Sequence, residues 1–357
     1  MRLKIIHTIS NSGTGGGQTH LLELLKHTDR TKFEVLLICH ENGHYVNDFQ
    51  TYADKIYKID YDQNPILVIA NILRIVRREK PSILHNHLLR SCFLGGTVSV
   101  LSGVKCFNNL HGDIEDDQNQ GSLKKRFYQI ANTWLSKMGV SFICVSQYNK
   151  TRLEHTGVTS DRITVVYNGV KDPFFTAETS GREIFNVLCT ARLHPAKGIE
   201  TILRAAPNLS KPIMINIVGD GPLANDYEKY ITENNIQNVS LHGFQTDVTP
   251  FLKSADLFLL SSNWEGLPIA IVEAMSYKLP VLATNVGGIS EIIHDSKGGK
   301  LFIPKDSFTL ATLLNEMCLK REECQLYGNY NYIFYQQNLT LETMIECTEE
   351  LYISQKI

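Results

Sequence analysis

Short runs of hydrophobic residues, many of them β-branched, alternate with amphipathic helical patterns from the beginning of the chain. This alternation is typical of α/β proteins, in which helices cover both faces of a parallel sheet. In the first half of the chain it predicts strands at residues 3–9, 33–39, 55–59, 83–85, 106–110, 142–145 and 163–167. Helices are predicted between them at residues 19–26, 65–78, 88–101 and 122–137.

The alternation stops in a polar stretch at residues 171–182 and then restarts, which indicates a linker between two domains. Strands are predicted at residues 186–190, 214–218, 239–242, 257–260, 281–284 and 301–303, with helices near residues 199–206, 223–233 and 269–277. We therefore expect two doubly wound, Rossmann-like domains, at residues 1–172 and 183–335. Ligands of such sheets bind beyond the carboxyl ends of the strands, so the residues that follow each strand are the candidates for function.

Composition and charge narrow the class of protein. The net charge of the 357 residues is −2, which argues against a nucleic-acid-binding protein. The eight cysteines are scattered and form no Cys-x-x-Cys pair, a pattern typical of reduced thiols in the cytoplasm. No stretch approaches the roughly 20 apolar residues of a membrane span. We expect a cytoplasmic protein.

The segment at residues 256–275, DLFLLSSNWEGLPIAIVEAM, runs from a predicted buried strand through a turn into a helix. Glu265 falls in the turn, where free backbone amides near Pro268 favour an anion, and Glu273 falls on the helix. Glu273 is surrounded by apolar positions, so its carboxylate needs a partner or a ligand. The alternative is structural, with Glu265 as a helix cap and Glu273 as a solvated residue.

Two cations lie just past another predicted strand. Arg192 and Lys197 are five residues apart across a turn that contains Pro195. A guanidinium fork and an ammonium are a common pair for binding a diphosphate. Without further information, a solvated surface pair is the simpler interpretation.

Glycines and a histidine follow two strands of the first half. Gly15, Gly16 and Gly17 give a loop without Cβ atoms, which permits close approach of a ligand to the backbone. The loop lacks the third glycine of a dinucleotide fingerprint and has no Walker lysine. His111 ends a predicted strand, and a lone histidine at that place is more often structural.

The glutamates eight positions apart in E-G-L-P-x-A-x-x-E-A-M resemble the donor-site motif of retaining glycosyltransferases of family 4, which have the GT-B architecture. Other segments resemble family elements in the family's order: Gly15-Gly16-Gly17, His111-Gly112, Asn168-Gly169-Val170, Ala191-Arg192-Leu193 with Lys197-Gly198, Val218-Gly219-Asp220-Gly221-Pro222, His242-Gly243-Phe244, and Val286-Gly287-Gly288 with Glu291. The resemblance implies an acceptor-side first domain and a donor-binding second domain that face each other across a cleft. It also implies that a C-terminal helix, at residues 339–357, crosses back to the first domain, with crossings near residues 171–182 and 330–338.

The resemblance also implies roles for individual residues. Arg192 and Lys197 would neutralise the donor's diphosphate, Glu273 would accept both ribose hydroxyls, and Glu265 would lie nearer the transferred sugar. His111 would contact that sugar close to the reacting carbon. The other residues that it implies in donor binding are Gly16, Gly17, Asn168, Gly219, Gly243, Phe244, Gly266, Leu267 and Pro268.

The implied reaction is the transfer of a hexosyl or N-acetylhexosaminyl group, with retained configuration, from a nucleotide-diphosphate sugar. UDP is the expected nucleotide, and a glycan or a lipid-diphosphate-linked acceptor in bacterial surface polysaccharide biosynthesis is the expected acceptor. Two rival functions stay open at this point. One is an NAD-dependent oxidoreductase, because doubly wound domains serve both activities. The other is a non-catalytic sugar-nucleotide-binding protein.

Two further signals concern metals and membranes. His85-Asn86-His87 and Asp60-Tyr61-Asp62 resemble partial metal sites, but both sit at strand ends and neither has a convincing further ligand nearby, so we expect no metal requirement. Two predicted helices are basic, one with Arg74, Arg77, Arg78 and Lys80 near its end, the other opening with Lys124, Lys125 and Arg126 ahead of Phe127, Tyr128 and Trp134. The second helix favours contact with an anionic partner, either the inner face of the cytoplasmic membrane or a lipid-diphosphate acceptor.

Overall fold

A computed structural model describes residues 2–13, 15–111, 122–174 and 183–354 of the chain. The chain divides into two compact units. The first comprises Met1–Asn168 with Leu341–Ile357, and the second comprises Gly169–Thr340. Each unit has its own sheet, and every strand pair in both sheets is parallel.

The first unit is built on a seven-stranded sheet of order β3-β2-β1-β4-β5-β6-β7. Its strands are β1 Leu3–Ile9, β2 Phe33–His40, β3 Lys55–Ile59, β4 Ile83–His87, β5 Lys105–Leu110, β6 Ser141–Cys144 and β7 Ile163–Val165. The chain winds outward in both directions from β1, so β1 and β4 flank the point where the strand order reverses. In doubly wound sheets this point opens a crevice at the carboxyl ends of the strands.

Helices cover both faces of this sheet. They are α1 Gly16–His27, α2 Val46–Tyr52, α3 Pro65–Glu79, α4 Leu89–Ser102, α5 Ser122–Lys137, α6 Gln147–His155 and, at the end of the chain, α14 Leu341–Ser354. Alternate residues of β1 point to opposite cores: Ile6 packs with residues of α3 and α4, while Ile5 packs with residues of α1 and α14. Because both faces are buried, the strands are nearly continuous hydrophobic runs.

The second unit repeats this plan with a six-stranded sheet of order β10-β9-β8-β11-β12-β13. Its strands are β8 Phe185–Thr190, β9 Ile213–Val218, β10 Val239–Leu241, β11 Leu257–Leu260, β12 Val281–Thr284 and β13 Gly299–Phe302. Its helices are α7 Ile199–Ala205, α8 Ala224–Glu233, α9 Thr249–Ser254, α10 Ile269–Ser276, α11 Ile289–Ile292, α12 Ser307–Leu319 and α13 Arg321–Asn338. Here β8 and β11 flank the reversal of strand order.

The predicted fold class is confirmed: both halves are doubly wound, all-parallel α/β sheets. Every predicted strand is present, with its ends shifted by at most two residues. The second crossing, predicted near residues 330–338, falls slightly later, because α13 runs without interruption to Asn338 and the boundary between the units lies between Thr340 and Leu341. The first boundary falls between Asn168 and Gly169, ahead of the predicted linker.

Parts of three predictions lie outside the described residues: Gly112, residues 175–182 of the linker, and residues 355–357 of the C-terminal segment. Among the described residues no helix combines the length and hydrophobicity needed to cross a membrane. The eight cysteines are free thiols, and all but Cys347 are buried.

Candidate functional site

The predicted donor-binding residues of the second unit lie along one edge of its sheet, beyond the carboxyl ends of four neighbouring strands. Arg192 and Lys197 follow β8, Gly219 follows β9, Gly243 and Phe244 follow β10, and Glu265, Gly266, Leu267 and Pro268 follow β11. Parallel strands end at the same edge, which is why residues from distant parts of the sequence come together there.

Lys197 and Glu265 form an ion pair at the reversal point between β8 and β11. The Lys197 Nζ atom lies 2.5 Å from Glu265 Oε1, and the Ser262 hydroxyl donates to the same oxygen at 2.6 Å. The Glu265 side chain is largely buried, whereas Lys197 is partly exposed. An ammonium has three N–H donors, so this pairing orients Lys197 and leaves donors for an anionic ligand.

The turn that carries Lys197 is fixed to the end of β11. It is a single 3-10 turn at Pro195–Lys197, followed by Gly198 with a φ of 57°. A Cβ atom at Gly198 would lie 2.3 Å from the Ser261 carbonyl oxygen, and the Ser261 hydroxyl donates to the carbonyls of Lys197 and Gly198 at 3.0 Å. Glycine at this position therefore allows the turn to pack directly against the strand that leads to Glu265.

Glu273 is a desolvated carboxylate on α10. It keeps a partly exposed surface, but its neighbours Ile271, Val272, Ala274 and Met275 are fully buried, and burial raises the pKa of Glu273 to about 7. Within the described part of the chain no side chain or backbone group pairs with its carboxylate. An unpaired carboxylate in such surroundings is costly unless a ligand hydrogen-bonds to it, so Glu273 is a candidate ligand-binding group.

Glycines let the loops of this edge approach one another closely. Gly219 has a φ of 140°, and a Cβ atom there would lie 2.0 Å from the Ala191 carbonyl oxygen; its amide donates to the Gly243 carbonyl at 2.8 Å. Gly287 has a φ of 57°, and a Cβ atom would lie 1.9 Å from the Glu265 carbonyl oxygen. These contacts connect the loops after β8, β9, β10, β11 and β12. The ring of Phe244 is about half exposed beside them.

The remaining predicted residues form a second group, on the first unit. Gly16 begins α1, and Gly17 packs so closely that a Cβ atom would lie 2.7 Å from Leu88 Cδ2 and 3.1 Å from His111 Cδ2. His111 is partly exposed, and its ring centroid lies 4.8 Å from that of His20. Asn168 is buried, and its side chain interacts with His20. This interaction raises the pKa of His20, but burial lowers that pKa by more. Gly17, His111 and Asn168 therefore surround one point at the end of this sheet.

Sequence reasoning missed a histidine cluster at the same place. Five histidine rings form one cluster, in which each ring contacts at least one other: His7, His20, His85, His87 and His111. His7 Nδ1 lies 2.9 Å from His87 Nε2, and His87 Nδ1 lies 3.5 Å from His111 Nε2. Burial lowers the pKa of all five imidazoles, to about 3 for His7 and about 4 for His20, so they are neutral at physiological pH. The sequence shows the histidines but not their proximity, which arises because β1 pairs with β4.

The expectation that neither partial metal motif has a further ligand nearby is wrong. His7 lies beside His85 and His87, and one ring nitrogen of each residue is within 4.8 Å of the other two. In the same way, a ring nitrogen of His40 lies within 4.8 Å of a carboxylate oxygen of Asp60 and of Asp62. The reason is tertiary: β1 pairs with β4 and β2 pairs with β3, which brings in a histidine from a distant part of the sequence.

Helix α5 presents an apolar surface to solvent in addition to its buried face. Five large side chains on one stripe at helical spacing are between 45% and 87% exposed: Leu123, Phe127, Ile130, Trp134 and Met138, the last just after the helix. Tyr128, Ala131 and Leu135 form the separate face that packs on the unit. Lys124, Lys125 and Arg126 flank the exposed stripe. Exposed apolar surface of this extent on a monomer marks an interaction site.

Comparisons with known proteins agree with the fold and the motifs. Residues 14–172 match the model described as Glycosyltransferase Family 4, and residues 174–334 match Glycosyl transferases group 1. UDP-Gal:alpha-D-GlcNAc-diphosphoundecaprenol alpha-1,3-galactosyltransferase of Escherichia coli is 27% identical over 325 residues, which is 84% of each chain.

Two solved structures show the same architecture. HepE of Anabaena, crystallised with UDP, matches 99% of this chain and 100% of its own with a TM-score of 0.87 at 19% identity. The lipopolysaccharide outer core galactosyltransferase WaaB in its apo form matches 99% of this chain and 100% of its own with a TM-score of 0.78 at 18% identity. With both halves matched by family models, the chain has the GT-B fold and belongs to the glycosyltransferases of family 4.

Proposed function

We propose that this glycosyltransferase transfers a hexosyl or N-acetylhexosaminyl group from a UDP-sugar with retention of anomeric configuration. The observation that carries the proposal is the desolvated carboxylate of Glu273, which has no partner among the described residues; Lys197, oriented by its ion pair with Glu265, supports it. The name of the Escherichia coli relative specifies a UDP-linked galactose donor, and HepE was crystallised with UDP. A sugar nucleotide supplies both a diol for a carboxylate and a diphosphate for cations.

The donor is held by groups of complementary chemistry. Lys197 and Arg192 bind the diphosphate, and Glu273 accepts hydrogen bonds from the vicinal hydroxyls of the ribose, because an ionised carboxylate offers two acceptor oxygens. Gly243 and Phe244 border the base. Gly266, Leu267 and Pro268 offer backbone contacts to the phosphate and the sugar at the amino end of α10, where the helix dipole also favours an anion.

The chemical step is a front-face displacement. The bond between the anomeric carbon and the diphosphate oxygen breaks, UDP leaves with the electron pair, and the acceptor oxygen bonds to the same face of the carbon. The acceptor's proton passes to an oxygen of the departing diphosphate. Lys197 and Arg192 stabilise the negative charge that grows on this leaving group, and His111 contacts the transferred sugar; positioning and charge stabilisation supply most of the catalysis.

The two cations also make a metal ion unnecessary at the diphosphate. Metal-dependent transferases use a divalent cation to neutralise the leaving group. Here a guanidinium and an ammonium lie at the end of β8, and Glu265 offsets part of their positive charge. We therefore propose that transfer requires neither a metal nor another cofactor.

The acceptor is a glycan or a lipid-diphosphate-linked sugar, and the protein meets it at an anionic membrane surface. The exposed stripe of α5 supports this proposal, because large apolar side chains flanked by lysine and arginine are the pattern of helices that lie in the membrane interface. The Escherichia coli relative is named for an acceptor linked to undecaprenol through a diphosphate. Synthesis of a bacterial surface polysaccharide at the inner face of the cytoplasmic membrane fits both observations.

A panel of nucleotide sugars tests the proposal. Thermal unfolding should shift upward with UDP and one or more UDP-sugars and stay unchanged with NAD, because only a ligand of the folded state stabilises it; saturation at about 100 times Kd corresponds to about 2.7 kcal/mol. Transfer is then measured with a lipid extract as acceptor, and NMR of the product gives its anomeric configuration. A product with inverted anomeric configuration contradicts retention. If the protein binds the donor but neither transfers nor hydrolyses its sugar, it is a binding protein and not an enzyme.

A further inference from the structure

Three imidazoles lie together on one face of the two central strands of the first sheet. His7 on β1 is directly opposite His85 on β4, and His87 lies two residues further along β4 on the same face. All three side chains are fully buried, in the layer that elsewhere consists of Ile5, Ile83 and other apolar residues under α1 and α14. Polar rings in such a layer need a compensating interaction.

Part of that compensation is missing within the protein. His7 Nε2 and His85 Nε2 are buried and make no hydrogen bond of normal geometry with any described group. Each such atom costs about 1–3 kcal/mol if left unsatisfied. Buried polar atoms without partners in native proteins commonly bind an ordered water or an ion.

We propose that His7, His85 and His87 bind one divalent late first-row transition-metal cation of the Zn²⁺ class. One ring nitrogen from each residue lies within 4.8 Å of the other two. Metal–nitrogen distances of about 2.0–2.1 Å require nitrogens about 3.4 Å apart in tetrahedral geometry, so the rings must adjust when the ion binds. Imidazole nitrogen is a preferred ligand of Zn²⁺ and Co²⁺, whereas Mg²⁺ and Ca²⁺ prefer oxygen.

The surroundings of His85 resemble those of a metal ligand. The Tyr352 hydroxyl of α14 lies 2.6 Å from His85 Nδ1. In metal sites the second ring nitrogen of a ligating histidine is usually hydrogen-bonded in this way, which fixes the tautomer and directs the other nitrogen to the ion. When Nδ1–H donates to the Tyr352 hydroxyl oxygen, the lone pair of His85 Nε2, which has no partner, is left available for an ion.

Two other groups of residues compete for the assignment. His20, His87 and His111 form a second trio that shares His87, but His111 is partly exposed and contacts the side chain of Asn109. His40, Asp60 and Asp62 form a group near the surface in which the Asp62 side chain is 80% exposed, and clusters of exposed acidic groups are common without an ion. The His20–His87–His111 group also has two buried nitrogens without partners, both on His20, but among the described candidate groups only His7–His85–His87 is wholly buried.

Titration of the full-length, chelator-treated protein with Co²⁺ tests the site without reference to transfer activity. We expect one Co²⁺ per chain, with the intense visible d–d absorption of low-coordinate cobalt bound to nitrogen, and displacement of the Co²⁺ by Zn²⁺. Wild-type protein that binds no stoichiometric Co²⁺ or Zn²⁺ overturns the proposal. That measurement requires no variant and so does not depend on whether a variant folds.

Variants then identify the ligands. His85→Asn keeps a hydrogen-bonding group near Tyr352 but lacks the Nε2 ligand, so it should lose the Co²⁺ spectrum. Tyr352→Phe should weaken Co²⁺ binding about 10–100-fold, as the loss of a supporting hydrogen bond does in known metal sites. His27→Asn, which changes an exposed histidine of α1, is the matched control and should bind Co²⁺ like the wild type. Loss of the spectrum in His40→Asn or His20→Asn, with His85→Asn unaffected, would place the ion elsewhere and overturn the assignment.

Discussion

At the scale of single residues, Glu273 connects the sequence to the proposed chemistry most directly. Its apolar neighbours are adjacent in the sequence, so the sequence alone predicts a carboxylate that lacks water and needs a ligand. The structure adds that no described group satisfies this carboxylate and that burial raises its pKa to about 7. A group that changes charge near neutral pH makes ligand binding depend on pH.

Donor affinity should therefore increase with pH. The ribose hydroxyls donate to the ionised form of Glu273, and a carboxyl with a pKa of about 7 is about one-tenth ionised one pH unit lower. The Kd of a UDP-sugar, measured by calorimetry, should fall about 5–10-fold between about pH 6 and pH 8. A UDP-sugar is preferable to UDP because its diphosphate does not titrate in this range.

The matched variant is Glu273→Gln, which keeps the size of the side chain but has no charge to lose. It should bind the donor weakly, and its Kd should not change over the same pH range. The ligand-free wild type should also lose stability as the pH rises from the unfolded-state pKa of about 4.5 through 7, by at most about 3 kcal/mol, because folding disfavours the ionised form. Parallel pH profiles for the two proteins would refute a binding role for Glu273.

Lys197 gives a second prediction at the residue scale. Lys197→Ala should reduce kcat/KM for transfer about 10²–10³-fold, because it removes a charge that stabilises the leaving diphosphate. The fold should persist, since Ser262 still donates to Glu265 and Ser261 still fixes the turn. Steady-state kinetics and circular dichroism check the two statements. Lys229→Ala, which removes an exposed ion pair on α8, is the control and should retain full activity.

Some features of single residues could be predicted from the sequence and others could not. Glu265, Glu273 and Lys197 were predictable as candidates, the glutamates from their own short segment and Lys197 from the family resemblance, and their roles stay predictions. The histidine cluster was not, because His7 and His85 are opposite each other only through the register of β1 and β4. Spacing along the chain carries no information on that register.

At the scale of secondary structure, strands were more predictable than helices. Strands such as β2 and β11 are continuous hydrophobic runs because both of their faces are buried, and every strand of the described residues was predicted. Helix α6 was missed because its sequence, QYNKTRLEH, buries only Asn149 and Leu153 and therefore has little amphipathic pattern. Helices α12 and α13 were missed as well, although Asp306 caps α12 by accepting from the Thr309 amide, a local signal that was present in the sequence.

Helix α5 gives a prediction at this scale. The double variant Phe127→Ser with Trp134→Ser should bind vesicles that contain anionic lipid at least about 10-fold more weakly than the wild type, because each apolar side chain contributes about 1.5–3 kcal/mol when fully buried. Co-sedimentation with the vesicles measures binding. Affinity should also fall with added salt, since each lysine or arginine near the surface contributes about 1 kcal/mol.

The chain offers a matched control for this experiment. Ile66 and Leu67 on α3 are 74% and 56% exposed but have no neighbouring basic run at that end of the helix. Ile66→Ser with Leu67→Ser should bind vesicles like the wild type. Equal loss in both double variants would indicate non-specific adsorption of apolar residues, and no loss in either would refute the membrane surface on α5.

At the scale of the whole molecule, the two-unit organisation was predictable because the strand–helix alternation runs twice. The last crossing between the units was predicted a few residues too early, and the reason is local. The break between α13 and α14 occurs at Leu339 and Thr340, without a proline or a glycine to mark it. Helix α14 buries Leu341, Met344 and Tyr352 in the core of the first unit. The last helix therefore belongs to the first unit, although it follows the second unit in the sequence.

The whole enzyme should transfer sugar at the same rate with and without a chelator. Arg192 and Lys197 supply the positive charge that a Mg²⁺ or Mn²⁺ ion supplies at the diphosphate in other transferases, so neither ion should change the initial rate more than about 2-fold. Imidazoles bind Mg²⁺ poorly, so a rate restored by Mg²⁺ would report on the diphosphate and not on the proposed histidine site, which contacts His111 through His87. Initial rates are measured in EDTA alone and after addition of excess Mg²⁺ or Mn²⁺. A rate that collapses in EDTA and returns with either ion would show that a metal, and not this pair of side chains, neutralises the leaving group.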